Sequence, residues 1–121
     1  MDWKIELLSV PVVDIDRAIA FYVDQVGFTL DHDHSVSEDV RFVQITPPGS
    51  ACSILVGSLT EMPAGSQKGI QVVVADADAA RERLVANGVE CSAVDEQPWG
   101  RFVYFSDPEG NAWALQQIVQ R

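Results

Sequence analysis

The sequence predicts an α+β fold built from two tandem copies of one βαβββ module, and three observations carry that expectation. An apolar strand end followed by Asp-x-Asp occurs twice, at Val12-Val13-Asp14-Ile15-Asp16-Arg17-Ala18 and at Val74-Ala75-Asp76-Ala77-Asp78-Ala79-Ala80. A strand followed by x-Pro-x-Gly-x-Ala also occurs twice, ending in Pro47-Pro48-Gly49-Ser50-Ala51 and in Pro108-Glu109-Gly110-Asn111-Ala112. Between the copies, residues 58–68, with Pro63, Gly65 and Ser66, lack periodicity and form a linker. Self-similarity of this kind sets the architecture before any single element is considered.

In the first module a strand is expected over residues 5–12. Asp14 then caps a helix by accepting from its free N–H groups, and Asp16 sits in the positive end of the helix dipole. Over residues 17–25, Ala18, Ile19, Phe21 and Tyr22 fall on one stripe with Val26, and Gly27 stops the helix. Strands follow over residues 28–33, 40–46 and 51–57. Pro47 and Gly49 turn the chain between the last two, proline by presetting φ and glycine by permitting left-handed backbone. The second module repeats this order, with a strand over 69–74, Asp76 as the cap, and a helix over 78–87 with the stripe Ala80, Leu84 and Val85 closed by Asn87-Gly88. Strands over 90–95, 101–106 and 112–118 complete it, with Pro108 matching Pro47 and Gly110 matching Gly49. The modules therefore span about 5–57 and 69–118 of a single domain covering residues 1–121.

With 121 residues, 47% of them hydrophobic, the chain can bury one real core. Lys and Arg total 8 against 18 Asp and Glu, and the formal charge of −10 repels nucleic acid and anionic lipid. The same field favours a neutral or cationic ligand, or serves solubility alone. No apolar run approaches the roughly 18 residues of a membrane span, and no basic-then-apolar leader precedes the first strand, so a cytoplasmic protein is expected. Cys52 and Cys91 are isolated and are expected to be reduced thiols.

The run from Val12 to Tyr22, ending in Gly27-Phe28, resembles the opening of vicinal oxygen chelate proteins, the superfamily of glyoxalase I, bleomycin resistance proteins and extradiol dioxygenases. The closing Phe105-Ser106-Asp107-Pro108-Glu109-Gly110-Asn111-Ala112-Trp113-Ala114-Leu115 is similar to that family's D-P-x-G-N-x-x-E-L ending. The resemblance implies a cup-shaped mixed β-sheet with helices on the outer face, and a site on the concave face. Metal-using members place His or Glu at four related positions on the first and last strands of each module. Here these fall on Leu7, Ser53, Gly69 and Ala114, which offer one weak hydroxyl where a divalent metal needs several imidazole or carboxylate donors. No metal and no other cofactor is therefore expected. Glu6 is one residue out of register and should face away.

Strand alternation adds Ser9, Leu55, Gln71, Ala112 and Gln116 to the same face as those four positions, and the small residues there leave room for a ligand or let the sheet close. Trp99 lies at a turn, and Phe102 and Tyr104 share a face; these are candidates for aromatic walls, although core packing is the common use of such residues. His32 and His34 share a face near Asp31, Asp33, Glu38 and Asp39; a solvated hairpin tip accounts for them better than a metal site, with His34 a candidate hydrogen-bonding group at the rim. No nucleophile with a neighbouring base is apparent, and Cys52 should face away from Ser53, so no catalytic residue is assigned. The expectation is a metal-free binding protein for a hydrophobic or aromatic small molecule, such as a drug or antibiotic. The alternative is a glyoxalase-like lyase, isomerase or dioxygenase. The resemblance also implies a homodimer.

Overall fold

The structure, a computed structural model, describes residues 1–118. Its strands are β1 (Leu7–Pro11), β2 (Thr29–Ser35), β3 (Arg41–Thr46), β4 (Ser53–Gly57), β5 (Ile70–Val73), β6 (Asp95–Gln97), β7 (Gly100–Ser106) and β8 (Ala112–Ile118). They form two four-stranded sheets, ordered β1-β4-β3-β2 and β5-β8-β7-β6. In each, the first strand of the module runs parallel to its last, and the remaining pairs are antiparallel. A parallel pair needs a long crossover; helix α1 (Ile15–Ile19) lies in that connection in the first module and α2 (Ala77–Ala86) in the second. The chain divides into two compact units, one of Met1–Gln67 with Asp107–Asn111, the other of Lys68–Ser106 with the strand from Ala112 onward.

Alternation along the strands sorts each sheet into two faces. In the first unit Val10, Val43, Ile45, Ile54 and Val56 share one face and are buried, as are Ala18, Phe21, Tyr22 and Val26 of the helical segment. In the second, Ile70, Val103, Phe105, Trp113 and Leu115 share a face and are buried, as are Ala77 and Leu84 of α2. Each buried Val, Ile, Leu or Phe among them contributes about 1.5–3 kcal/mol.

The caps form as expected: Asp14 accepts from Arg17 N at 3.0 Å and Asp76 from Ala79 N at 3.2 Å. Gly27 and Gly88 close the helices with φ of 92° and 79°, the left-handed region where a side chain is strained. Two elements depart from expectation. The first helix continues past Ile19 as a π-helix, Ala20–Val26, with Gly27 N donating to Tyr22 O. An apolar stripe reveals a helix but not the width of its turns. The strand expected over 90–95 reduces to a bridge at Cys91 and to β6, because the Ser92 hydroxyl, at 2.9 Å, takes the Tyr104 N–H that a ladder would use.

The duplication extends to ion pairs. Arg41, opening β3, binds Asp16 and Asp33, each at 2.8 Å; Arg101, near the start of β7, binds Asp78 at 3.0 Å and Glu96 at 2.7 Å. Each arginine thus holds the second Asp of its module's Asp-x-Asp. The hydrogen bonds from these guanidinium groups hold the Asp33 and Asp78 carboxyls below their ordinary range.

The loop Asp107–Asn111 is built into the first unit. Asp107 is buried, and its Oδ2 accepts from Tyr22 Oη at 2.7 Å and Asn111 Nδ2 at 2.8 Å, while Oδ1 accepts from the N–H groups of Glu109 and Asn111. Asn111 also donates to Pro11 O at 2.9 Å and accepts from Gln67 N at 3.0 Å. The Glu109 carboxylate takes the N–H groups of Val13 and Asp14, ahead of α1. Gly65 packs so closely that a Cβ there would lie 2.1 Å from Glu109 O. Tyr22→Phe should lower unfolding free energy by about 1–3 kcal/mol, since it strips a buried carboxylate of a donor. Gly65→Ala should be destabilising too, both by clash and by its φ of 77°; urea denaturation midpoints measure both.

Candidate functional site

The helix-free face of the second sheet carries a recess. It has a volume of about 350 Å³ and is floored by Gly69, Gln71, Ala112 and Ala114, with Tyr104 and Ser106 on β7 and Lys68 at one end. The floor exists because β8 places Ala114, with only a methyl side chain, between Gln71 and Tyr104, and small residues, Gly69, Ala112 and Ser106, continue it. In the pairing register Gln71 stands opposite Ala114, and Ala114 opposite Tyr104, so one row across three strands reads glutamine, alanine, tyrosine. Such a gap-toothed row leaves space for a flat molecule.

Aromatic and amide groups extend the row. Phe102 and Tyr104 lie 6.1 Å apart with planes 11° from parallel. Phe102 is buried, whereas Tyr104 is 42% and Trp99 63% exposed. The Tyr104 hydroxyl donates to Asp95 Oδ2 at 2.8 Å, and Gln97 Nε2 donates to both Asp95 oxygens. Gln71 Nε2 donates to Gln116 Oε1, and Gln116 Nε2 donates to Trp99 O at 3.3 Å. Hydrogen bonding to Asp95, with smaller contributions from burial and from that carboxylate's charge, holds the Tyr104 phenol above its ordinary ionisation range.

On the corresponding face of the first sheet, Leu7, Ser9, Ser53 and Leu55 lie together, Leu7 opposite Ser53 and Ser9 opposite Leu55. Ser53 is 5% exposed and tied into a ladder: Gln44 Nε2 lies 3.2 Å from its Oγ, the Thr46 hydroxyl 2.6 Å away, and Thr46 Oγ1 donates to Asp31. His32 and His34 stack at 5.8 Å on the exposed strand β2, with Phe42 6.5 Å from His32.

The expected residues thus separate by unit. Gly69, Gln71, Tyr104, Ala112 and Ala114 line the recess directly, and Phe102, Gln116 and Trp99 support it. Leu7, Ser9, His34, Ser53 and Leu55 belong to the first unit. In the second unit Ala114 faces Gln71, two residues beyond Gly69. Asp95, Gln44, Thr46 and Asp31 were not singled out as site residues, because their roles are to hold polar side chains on neighbouring strands. A hairpin that sets Asp95 opposite Phe102, with Tyr104 two residues further along the same face, was the available signal for Asp95.

The donor chemistry does not fit a family-type metal. Leu7 and Ser53 on one sheet, and Gly69 and Ala114 on the other, bring no imidazole or carboxylate, and no group of three or more His, Cys, Asp or Glu among the described residues could hold a metal ion. Burial and the nearby Glu6 charge push the Cys52 thiol up, which disfavours its nucleophilic thiolate form. No helix of the described residues is long and apolar enough to cross a membrane.

A duplicated βαβββ chain with helices packed on one side of each sheet and a recess on the other defines a known class of fold. Residues 4–115 match the model of the Glyoxalase/Bleomycin resistance protein/Dioxygenase superfamily, and the chain belongs to that superfamily. Its structure is similar to that of TnmS3, an antibiotic binding protein from Streptomyces sp. CB03234, with a TM-score of 0.89, 37% identity and 98% of each chain covered. A glyoxalase/bleomycin resistance protein from the same source aligns with a TM-score of 0.84 and 38% identity over 94% of this chain and 100% of that one. YetH, an uncharacterized protein of Bacillus subtilis (strain 168), is 26% identical over 117 residues, covering 94% of this chain and 98% of that protein.

The Tyr104 environment is directly measurable. Its phenol should ionise above the usual value of about 10, and Asp95→Asn should bring it down. Carbon NMR of the tyrosine ring, with Tyr104→Phe for assignment, follows both.

Proposed function

We propose that this chain binds and holds a hydrophobic or aromatic small molecule, of the kind represented by drugs and antibiotics, on the sheet face that carries the recess, and does so without a metal. The observation that supports this best is the row Gln71–Ala114–Tyr104: an open floor, an exposed aromatic ring and a few polar atoms, without the donors that metal chemistry requires. Holding a molecule needs affinity alone, and no acid, base or nucleophile has to be arranged. The likeness to an antibiotic binding protein over 98% of both chains is in keeping with that chemistry. Leu7, Ser9, His34, Ser53 and Leu55 are proposed as ligand contacts on the corresponding face of the first sheet, within the first unit.

Titration with a panel of planar aromatic compounds should quench tryptophan fluorescence to saturation at fixed stoichiometry. Trp99→Phe should remove the part of the change that arises at the exposed indole, and the remainder comes from Trp113, which also lines the recess. The compounds should be recovered unaltered by chromatography; conversion of a bound compound would instead establish the glyoxalase-like lyase, isomerase or dioxygenase alternative. Elemental analysis finding stoichiometric nickel, zinc, iron or manganese would overturn the metal-free proposal.

The protein is further proposed to act as a homodimer in the cytoplasm. Light scattering should then give about twice the chain mass of 13.2 kDa.

A further inference from the structure

The directions of the hydrogen bonds around the recess say what kind of polar group a ligand must bring. A backbone carbonyl can only accept, so the amide nitrogen of Gln116 must be the end that meets Trp99 O. The opposite end of that amide is then its oxygen, and it must meet a donor, which fixes Gln71 Nε2 as the atom facing Gln116. Gln71 Oε1 accepts no hydrogen bond from the described residues, and it stays available to a ligand together with the second N–H of the same amide. The arrangement has a built-in clearance: a Cβ on Gly100 would come within 3.0 Å of Gln116 Nε2.

The same logic applies across the floor. An ionised carboxylate can only accept, so the Tyr104 hydroxyl proton is committed to Asp95, and the phenolic oxygen offers lone pairs alone. Gln71 and Tyr104 flank Ala114 on neighbouring strands, two strand spacings apart, or roughly 10 Å. The first sheet follows the same pattern independently. Thr46 gives its proton to Asp31, so Ser53 must donate to Thr46 while accepting from Gln44. The protons of these hydroxyls also run toward a carboxylate.

We infer that the ligand is an arene carrying hydrogen-bond donors, hydroxyl or N–H groups, near opposite edges of its ring system, which donate to Gln71 Oε1 and Tyr104 Oη while the ring lies over Ala114. This rests on the binding reading above and narrows it. Acceptor-only arenes leave both oxygen atoms unpaired and can take only the second N–H of the Gln71 amide, and carboxylates add repulsion from Asp95 and from the chain's net charge of −10. Lys68, at the end of the recess, is the cationic residue among the described lining residues and pulls the other way.

Three probes of one shape separate these effects: 2,6-dihydroxynaphthalene, 2,6-dimethoxynaphthalene and naphthalene-2,6-dicarboxylate, each titrated by calorimetry against the full chain. The side-chain amide resonances of Gln71 and Gln116 report whether binding occurs in the recess. The dihydroxy compound should bind at least about tenfold more tightly than the dimethoxy compound, shift both amides, and lose most of that advantage in Gln71→Leu. Equal binding of the dihydroxy and dimethoxy compounds, or preference for the dicarboxylate through Lys68, would overturn the inference and leave the binding reading standing. Binding of none of the three would count against both.

Discussion

A pleated strand can give a face only every second side chain, and in this protein one face of each sheet is already committed. The parallel pairing of a module's first and last strands forces a crossover through a helix, and the apolar residues of the helix and of that sheet face are buried. Val10, Ile54 and Val56 in one unit, and Ile70, Trp113 and Leu115 in the other, are the positions so consumed. Everything available for recognition must stand on the alternate positions. A slip of one residue in β8 would put Trp113 where Ala114 is and fill the recess with indole.

The superfamily's Asp-Pro-x-Gly-Asn ending is, in this chain, a clasp rather than chemistry. Asp107 collects four hydrogen bonds from Tyr22, Glu109 and Asn111, and Asn111 reaches Pro11 and the Gln67 N–H. Glu109 serves the N–H groups just ahead of the first helix, and Gly65 has no side chain because the loop backbone occupies that space. A loop between the last two strands of the second module is thereby part of the first compact unit. Buried polar networks of this sort stabilise only when their members are satisfied, and here both oxygens of Asp107 and both ends of the Asn111 amide have partners.

The two copies have kept their scaffold and changed the face it displays. Both retain the Asp cap, the arginine bound to the second Asp of Asp-x-Asp, and the left-handed glycine at the helix end. Their exposed rows differ: the first displays hydroxyls, an amide and two histidines, the second amides, methyls and an aromatic ring. Fold and face respond to different constraints, which is why membership of a superfamily spanning many activities says little about which activity a member has.

What was legible in the sequence is what short-range periodicity encodes. Asp14, Gly27, Pro108 and the alternation of Phe102 with Tyr104 announce caps, stops, turns and faces within a few residues of chain, and each sits in the structure as that local chemistry requires. The π-helical turn after Ile19 escaped, because an apolar stripe does not record the number of residues per turn. Pairings between distant segments escaped as well. That Asp95 receives the Tyr104 hydroxyl, that Glu109 reaches Val13 across 96 residues, and that Ala114 lies opposite Gln71 are consequences of strand register and loop packing. Sequence alone determined two βαβββ modules and the two faces of their strands; tertiary structure decided which side chains meet across strands and where their protons point. A hydrogen bond depends on positions within tenths of an ångström, and only the assembled backbone sets those.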